Sequence, residues 1–264
     1  MKTAIADGSS EVTVVVEIVA GLITSAMTAT AAVVWRYRVR MLAQPRRVRV
    51  SFSALLRIRD DDRYVLFHAI NRPGSYGPPG GAYKYLSDGE AQLERLGFKD
   101  EPKPTGLIDH MRHDLRGFVD SRSVKKFIRW FDSGTGRESA TECLRRELAE
   151  ELAEVGHPEL IDHVASLEFT PLRVVQTGPR QEPGTDYLHL RRFEVYDIAV
   201  APTGAAAQFK QRLLELAEDP TTHLIVGVGA TDIEYGRCTA GLIGGQAAFL
   251  IGTKRRHPPI PAVR

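Results

Sequence analysis

Residues 146–154, RELAEELAE, set four glutamates on one short amphipathic stretch. Leu144, Leu148 and Leu152 recur every four residues, and this spacing predicts a helix with one buried apolar stripe. Glu147, Glu150, Glu151 and Glu154 then fall at i, i+3, i+4 and i+7, on a single face. Like charges so spaced repel by about 0.2–0.5 kcal/mol per pair on an exposed helix. Such a face is either a solvated acidic surface or a set of ligands for a hard divalent cation. Mg2+ takes oxygen ligands of this kind; it can hold a pyrophosphate and activate an attacking water.

Working outward, "RVRVSFSALLRI" and "RYVLFHAI" are β-rich runs separated by "RDDD", a hairpin signal. "NRPGSYGPPGGAY" is a turn-rich connection, and helical patterns lie around Gln92–Leu96 and Ser123–Trp130. The glutamate helix is expected from about Ser139 to Val155. Three later strand-like runs, "SLEFTPLRVVQT", "DYLHLRRFEVYDIAV" and "HLIVGVGAT", enclose one more helical stretch, "AAAQFKQRLLELAED". This order of elements predicts an α/β fold, a mixed sheet packed between helices.

The chain has 264 residues, with 35 basic and 33 acidic side chains, so no global field points to nucleic acid and no DNA partner is expected. Its two cysteines, Cys143 and Cys238, supply neither a disulfide framework nor a zinc site, and Cys143 inside the glutamate helix is expected to pack as a small apolar residue. His110 and His113 have metal-like spacing but no partner pair, so an ordinary polar helix is the expectation there. "FIRWF", Phe127 to Phe131, is expected in the core.

From Val12 to Trp35 the only charge is Glu17, and the run is long enough for a roughly 30 Å hydrocarbon layer. Arg36, Arg38, Arg40, Arg46, Arg47 and Arg49 follow it, while Lys2 alone precedes it as a basic residue. The positive-inside rule then places the N-terminus outside and the rest in the cytoplasm. A cleaved signal peptide fits poorly, because the arginines come after the run. The expected organisation is an anchor at 1–36, a basic juxtamembrane linker at 37–47 and a folded domain at 48–264. Glu17, Gly21, Ser25 and Ala29 repeat every four residues, a spacing on which spans pack closely and oligomerise. Glu17 has two readings, a carboxyl between helices or one snorkelling to the outer interface.

The sequence Arg146-Glu147-Leu148-Ala149-Glu150-Glu151 resembles the core of the Nudix box, with Glu138 at the family's spacing before it and "GPPGGAY" similar to the turn that leads into the box. Two positions depart from that motif: Asp132 and Ala153 stand where the box has glycines. "PPGGAYK", "DLRGFV" and "FIRWFDSGTGRES", separated by a long insertion, resemble the narrower family of SMODS-associated Nudix domains. The resemblance implies Mg2+ held by Glu147, Glu150 and Glu151, with Glu147 catalytic if the domain hydrolyses. It implies nucleotide contacts at Gly80, Gly81 and Arg146. It further implies a CBASS anti-phage effector of the bacterial inner membrane, working with a neighbouring nucleotidyltransferase. Such an effector senses a cyclic oligonucleotide messenger, forms a homo-oligomer on activation and disrupts the lipid bilayer. A membrane-tethered Nudix pyrophosphohydrolase is the alternative.

Overall fold

The computed structural model describes residues 46–102, 111–200 and 204–257. The expected span with Glu17, Gly21, Ser25 and Ala29, most of the basic linker, and His110 lie outside them. Among the described residues no helix is long and apolar enough to cross a membrane.

The first expected run is strand β1 (Arg47–Arg57), which turns through β2 (Arg59–Asp60) into β3 (Arg63–His68). Asp61 sits at the bend with φ 42°, and the Val65 N–H donates to Ile58 O at 2.9 Å, closing the hairpin that "RDDD" signals. β4 (Ser75–Gly77) precedes the glycine turn. The insertion is folded: α1 (Ser87–Arg95), β5 (Lys99–Asp100), β6 (Arg116–Asp120) and α2 (Val124–Ser133). The glutamate helix is α3 (Ala140–Glu154), followed by α4 (Ile161–Val164), β7 (Phe169–Gln181) and β8 (Leu188–Ile198). The chain continues through α5 (Ala205–Glu218), β9 (Ile225–Gly229), α6 (Ala230–Tyr235), β10 (Arg237–Cys238), β11 (Gly241–Ile243) and α7 (Ala248–Ile251).

Two mixed sheets result. One has the order β5-β6-β1-β8-β7, with β1 and β8 parallel; the other runs β10-β11-β4-β3-β2, with β9 also paired to β3. Alternation along β1 sorts its side chains between two cores. Val48, Val50, Phe52, Ala54 and Leu56 face the larger one, with the α3 stripe and α5 residues Phe209 and Leu213. Leu55 faces the smaller one, with Val195, Ile233 and Phe249. Helices therefore cover both faces of a mixed sheet. The α3 stripe is buried as its spacing predicts, with Leu144, Leu148 and Leu152 at most 1% exposed. Burial of each is worth roughly 1.5–3 kcal/mol, which fixes the helix against β1.

Phe127 and Phe131 of the insertion reach the same core, their rings edge-on to Phe52 at 5.3 and 4.6 Å. The insertion thus belongs to the fold itself.

Candidate functional site

Two local features bring the glutamates to the glycine turn. β6 pairs with β1 only as far as Ser51. Beyond it, residues 79–83 take over as an irregular strand: Ala54 N–H donates to Gly81 O (3.0 Å), Leu56 N–H to Pro79 O (2.8 Å) and Tyr83 N–H to Phe52 O (3.1 Å). The glycine turn is held along β1, directly against α3. At the helix start, Ser139 and Glu142 form a reciprocal capping box, with Glu142 N–H to Ser139 Oγ at 3.2 Å and Ser139 N–H to Glu142 Oε2 at 2.7 Å. Its backbone contact with Ser139 holds the Glu142 carboxyl below its ordinary range.

The geometry then closes around one cation. Arg146 grips Glu138 with two bonds, Nε to Oε1 at 2.7 Å and Nη2 to Oε2 at 2.9 Å. It also donates to Glu147 Oε1 (2.7 Å) and Ala82 O (3.0 Å), and lies 3.7 Å from Glu150 Oε1. Glu138 Oε2 accepts a further bond from Lys84 N–H at 2.9 Å. Gly80 N–H donates to Glu151 Oε2 at 2.9 Å. Gly81 has no side chain because Glu147 fills that space: a Cβ there would overlap its carboxylate. Gly80, Gly81, Glu138, Arg146, Glu147, Glu150 and Glu151 therefore form one site, whereas Glu154, one turn on, is exposed.

This is not a solvated acidic face. Burial pushes the Glu147 carboxyl up, opposed by Arg146, and pushes Glu151 well above the ordinary range, aided by the neighbouring Glu147. Hard carboxylate oxygens in surplus over one guanidinium suit Mg2+ in chemistry. Among the described residues no three acids converge as a ready metal cluster. Side-chain rotation of Glu147, Glu150 and Glu151 would have to gather them on an ion.

A consequence follows for stability. Because the folded Glu151 holds its proton to higher pH than the unfolded one, metal-free stability falls as pH rises above the ordinary carboxylate range. Gln at 151 keeps an acceptor for Gly80 N–H and removes the charge. In EDTA at neutral pH, Glu151→Gln is expected to raise the thermal midpoint by roughly 2–4 °C, on the order of 1 kcal/mol for a domain of this size. With Mg2+ the parent should gain and the Glu150→Gln, Glu151→Gln double variant should not. A parent midpoint indifferent to Mg2+ would return the cluster to a purely structural role.

The flanking loops differ from the expectation that glycine is lost from them. Asp132 is helical and pairs with Arg192 at 2.8 Å; the left-handed positions fall later, at Gly134 and Gly136, both with φ 73°. Past the helix, Ala153 remains within α3 and Gly156 takes φ 86°. The glycines are displaced along the chain, and the left-handed conformations they permit are present.

Sequence reasoning missed a buried network beside the site. Tyr83 Oη donates to Glu194 Oε2 at 2.6 Å, Tyr196 Oη to the same atom at 3.1 Å, and Arg192 Nε to Glu194 Oε1 at 2.8 Å. Its signal was present in "LRRFEVY": on a strand, Leu190, Arg192, Glu194 and Tyr196 share the core-facing side, so that face carries two charges. Trp130 packs on Phe127 and is 8% exposed, which makes it core, although it lines a groove of about 590 Å3 with Arg95, Lys126 and Arg129. Cys143 is buried, its thiol pushed well up by burial and by Glu147, as an apolar packing residue should be.

A glycine turn laid along the central strand, facing a helix that carries the Arg-Glu-x-x-Glu-Glu core, defines the domain as Nudix-like in class. The family model for the SMODS-associated NUDIX domain matches residues 47–251, and the chain belongs to that family. No curated protein matches it in sequence.

Proposed function

We propose that this chain is a CBASS effector that binds a cyclic oligonucleotide messenger and acts on the bacterial inner membrane. The SMODS association supports a setting with a messenger-making nucleotidyltransferase. The observation that carries the receptor reading is the way the acids are held. Glu147 Oε1 is taken by Arg146 and Glu151 Oε2 by Gly80 N–H. The site is thereby organised by its own donors, with a strand and a helix coupled at one point that a ligand can reset.

In this reading residues 12–35 anchor the chain as a single span with the domain in the cytoplasm. One span forms no pore, and contacts between spans contribute only about 0.6–2 kcal/mol each. Gathering of the cytoplasmic domains by messenger would raise the spans' effective concentration and drive assembly through Gly21, Ser25 and Ala29, with Glu17 extending that face.

The second reading, a membrane-tethered pyrophosphohydrolase, is favoured by the left-handed glycines that flank the site at 134, 136 and 156. One experiment separates the two. The full chain is incubated with cyclic di- and trinucleotides and Mg2+ and the nucleotide recovered by chromatography. Stoichiometric retention of unaltered nucleotide is expected; steady multiple-turnover product would establish the hydrolase. In cells making the messenger, Gly21→Leu should abolish membrane depolarisation without weakening that retention. Depolarisation equal to the parent's would remove this face from the mechanism.

A further inference from the structure

The five-stranded sheet has a second face, opposite α3, and only part of it is covered. At one end Phe193 packs tilted against Phe249 of α7, with ring centroids 4.9 Å apart, and Leu55 and Val195 are buried. Towards the other end the same face turns basic. Register places Arg116, Ser51, Arg191 and Thr177 in one row across β6, β1, β8 and β7. The next row is Phe118, Arg49, His189 and Arg180. Arg255 joins them from beyond α7, its guanidinium lying over Gly245, where a Cβ would come within 2.5 Å of Nε.

The charges on this face do not balance. Glu101 is taken by Arg49, with bonds of 2.8 and 2.6 Å, Glu182 by Arg191, with bonds of 2.5 and 2.9 Å, and Asp114 stands 3.7 Å from Arg116. Arg180 reaches Glu182 only at 3.9 Å and is largely exposed. Arg255 has no acceptor among the described residues, although it is half-buried. Burial lowers its pKa most, Arg191 and Arg180 add to this, and Glu182 opposes.

His189 supplies an independent sign. It is 6% exposed. Arg191 Nη2 lies 3.3 Å from its Nδ1, and a guanidinium only donates, so Nδ1 is the acceptor and Nε2 carries the hydrogen. Burial lowers its pKa most, with Arg191 and Arg49 adding to this and Glu182 opposing. Nε2 is buried without a hydrogen-bond partner, Glu182 Oε2 standing 3.8 Å away. A buried donor with no hydrogen-bond acceptor, on a face that also carries the weakly paired Arg180 and Arg255, is an arrangement that an anionic oxygen completes.

Aromatic rings border the same patch: Tyr187 lies 4.9 Å from His189 and 5.1 Å from Phe118, between centroids. We propose that this half of the sheet face, centred on Arg180, His189, Arg191 and Arg255, binds the phosphate groups of a nucleotide, with Tyr187 beside its base. The assignment of the ligand as a nucleotide rests on the receptor reading above; the phosphate site rests on strand register, the weakly paired guanidinium groups and the unpartnered ring nitrogen.

The test uses the full chain in EDTA, which keeps cations off the glutamates. Sodium pyrophosphate is titrated against NaCl of equal ionic strength, with the thermal midpoint as readout. The parent should be stabilised by pyrophosphate beyond the salt control. Arg255→Gln and Arg180→Gln should each bind it about tenfold or more weakly, the loss of one charge-assisted contact. Neither side chain holds a strong ion pair in the fold, so both variants are expected to fold as the parent does. An equal response to pyrophosphate and NaCl, or variants that respond as the parent does, would overturn the phosphate site. Adenosine 5′-monophosphate and glycerol 3-phosphate then separate a nucleotide from a lipid headgroup. Tighter binding of the nucleotide, lost in Tyr187→Ala, is expected; equal binding would overturn the nucleotide assignment while leaving the messenger experiment above unaffected.

Discussion

Arg146→Ala is expected to cost the domain about 3–5 kcal/mol, the usual effect of removing one partner from a buried ion pair. Domains have about 5–15 kcal/mol in total, so this is a loss of about a fifth or more. The size follows from what is left behind. Arg146, Glu138 and Glu147 have side chains only 21%, 11% and 17% exposed, so water screens their interaction little. Without the guanidinium, Glu138 keeps one backbone bond and Glu147 keeps none from a cation it touches. Lysine should recover only part of the loss. A single ammonium cannot make the paired bonds to Glu138 while also reaching Glu147 and Ala82 O. Denaturant unfolding measures the effect. Adding Glu138→Gln to Arg146→Ala should restore part of the stability, because the stranded charge is then gone. A drop below about 1 kcal/mol in the single variant would mean that the pair is screened as surface pairs are.

The helix and its buried stripe were legible in the sequence because Leu144, Leu148 and Leu152 are set by period alone, and the period survives any tertiary context. The same holds for β1 and β3, whose hairpin is fixed by local turn chemistry. The extent of α1 was underestimated: Gln92–Leu96 shows the apolar positions, but the helix begins at Ser87, where no side chain caps it. The short strands β4, β10 and β11 left no signal: each is two or three residues, β4 and β11 pair with each other across the chain, and β10 is held only by β11. At the site, the motif named the acids but not their partners. That Glu151 bonds to Gly80, 71 positions away, and Glu147 fills the space at Gly81 depends on residues 79–83 lying along β1, a long-range pairing that no local pattern carries. The basic sheet face was invisible for a related reason. Arg49, Arg116, Arg180, Arg191 and Arg255 are scattered in sequence and meet only through strand register and the approach of the C-terminal segment.

Gly80 and Gly81 are adjacent and should fail in opposite ways. Gly80 has φ +125°, a conformation that side-chain-bearing residues rarely adopt, and a Cβ there would drive into the backbone carbonyl of Ala54. That oxygen belongs to β1, the strand on which both cores are built, so it has no room to retreat. Strain of about 1–3 kcal/mol for the backbone and about 1–3 kcal/mol for the overlap should together make Gly80→Ala one of the most damaging single changes in the domain. The nearest atoms to a Cβ on Gly81 are those of the Glu147 carboxylate, the far end of a flexible side chain. Rotation of Glu147 relieves the clash but gives up its bond to Arg146, so Gly81→Ala should cost about 1–3 kcal/mol, less than Gly80→Ala. The displaced carboxylate, however, loses its place beside Arg146 and Glu150. Gly81→Ala should therefore fold and lose the Mg2+-dependent rise in thermal midpoint, whereas Gly80→Ala should fail to fold or melt far lower with or without the ion. Unfolding curves for both variants, with Mg2+ and with EDTA, test the pair together. A tolerated Gly80→Ala would show that the turn is not pinned to β1, and a Gly81→Ala variant with the parent's Mg2+ response would show that Glu147 is not a ligand.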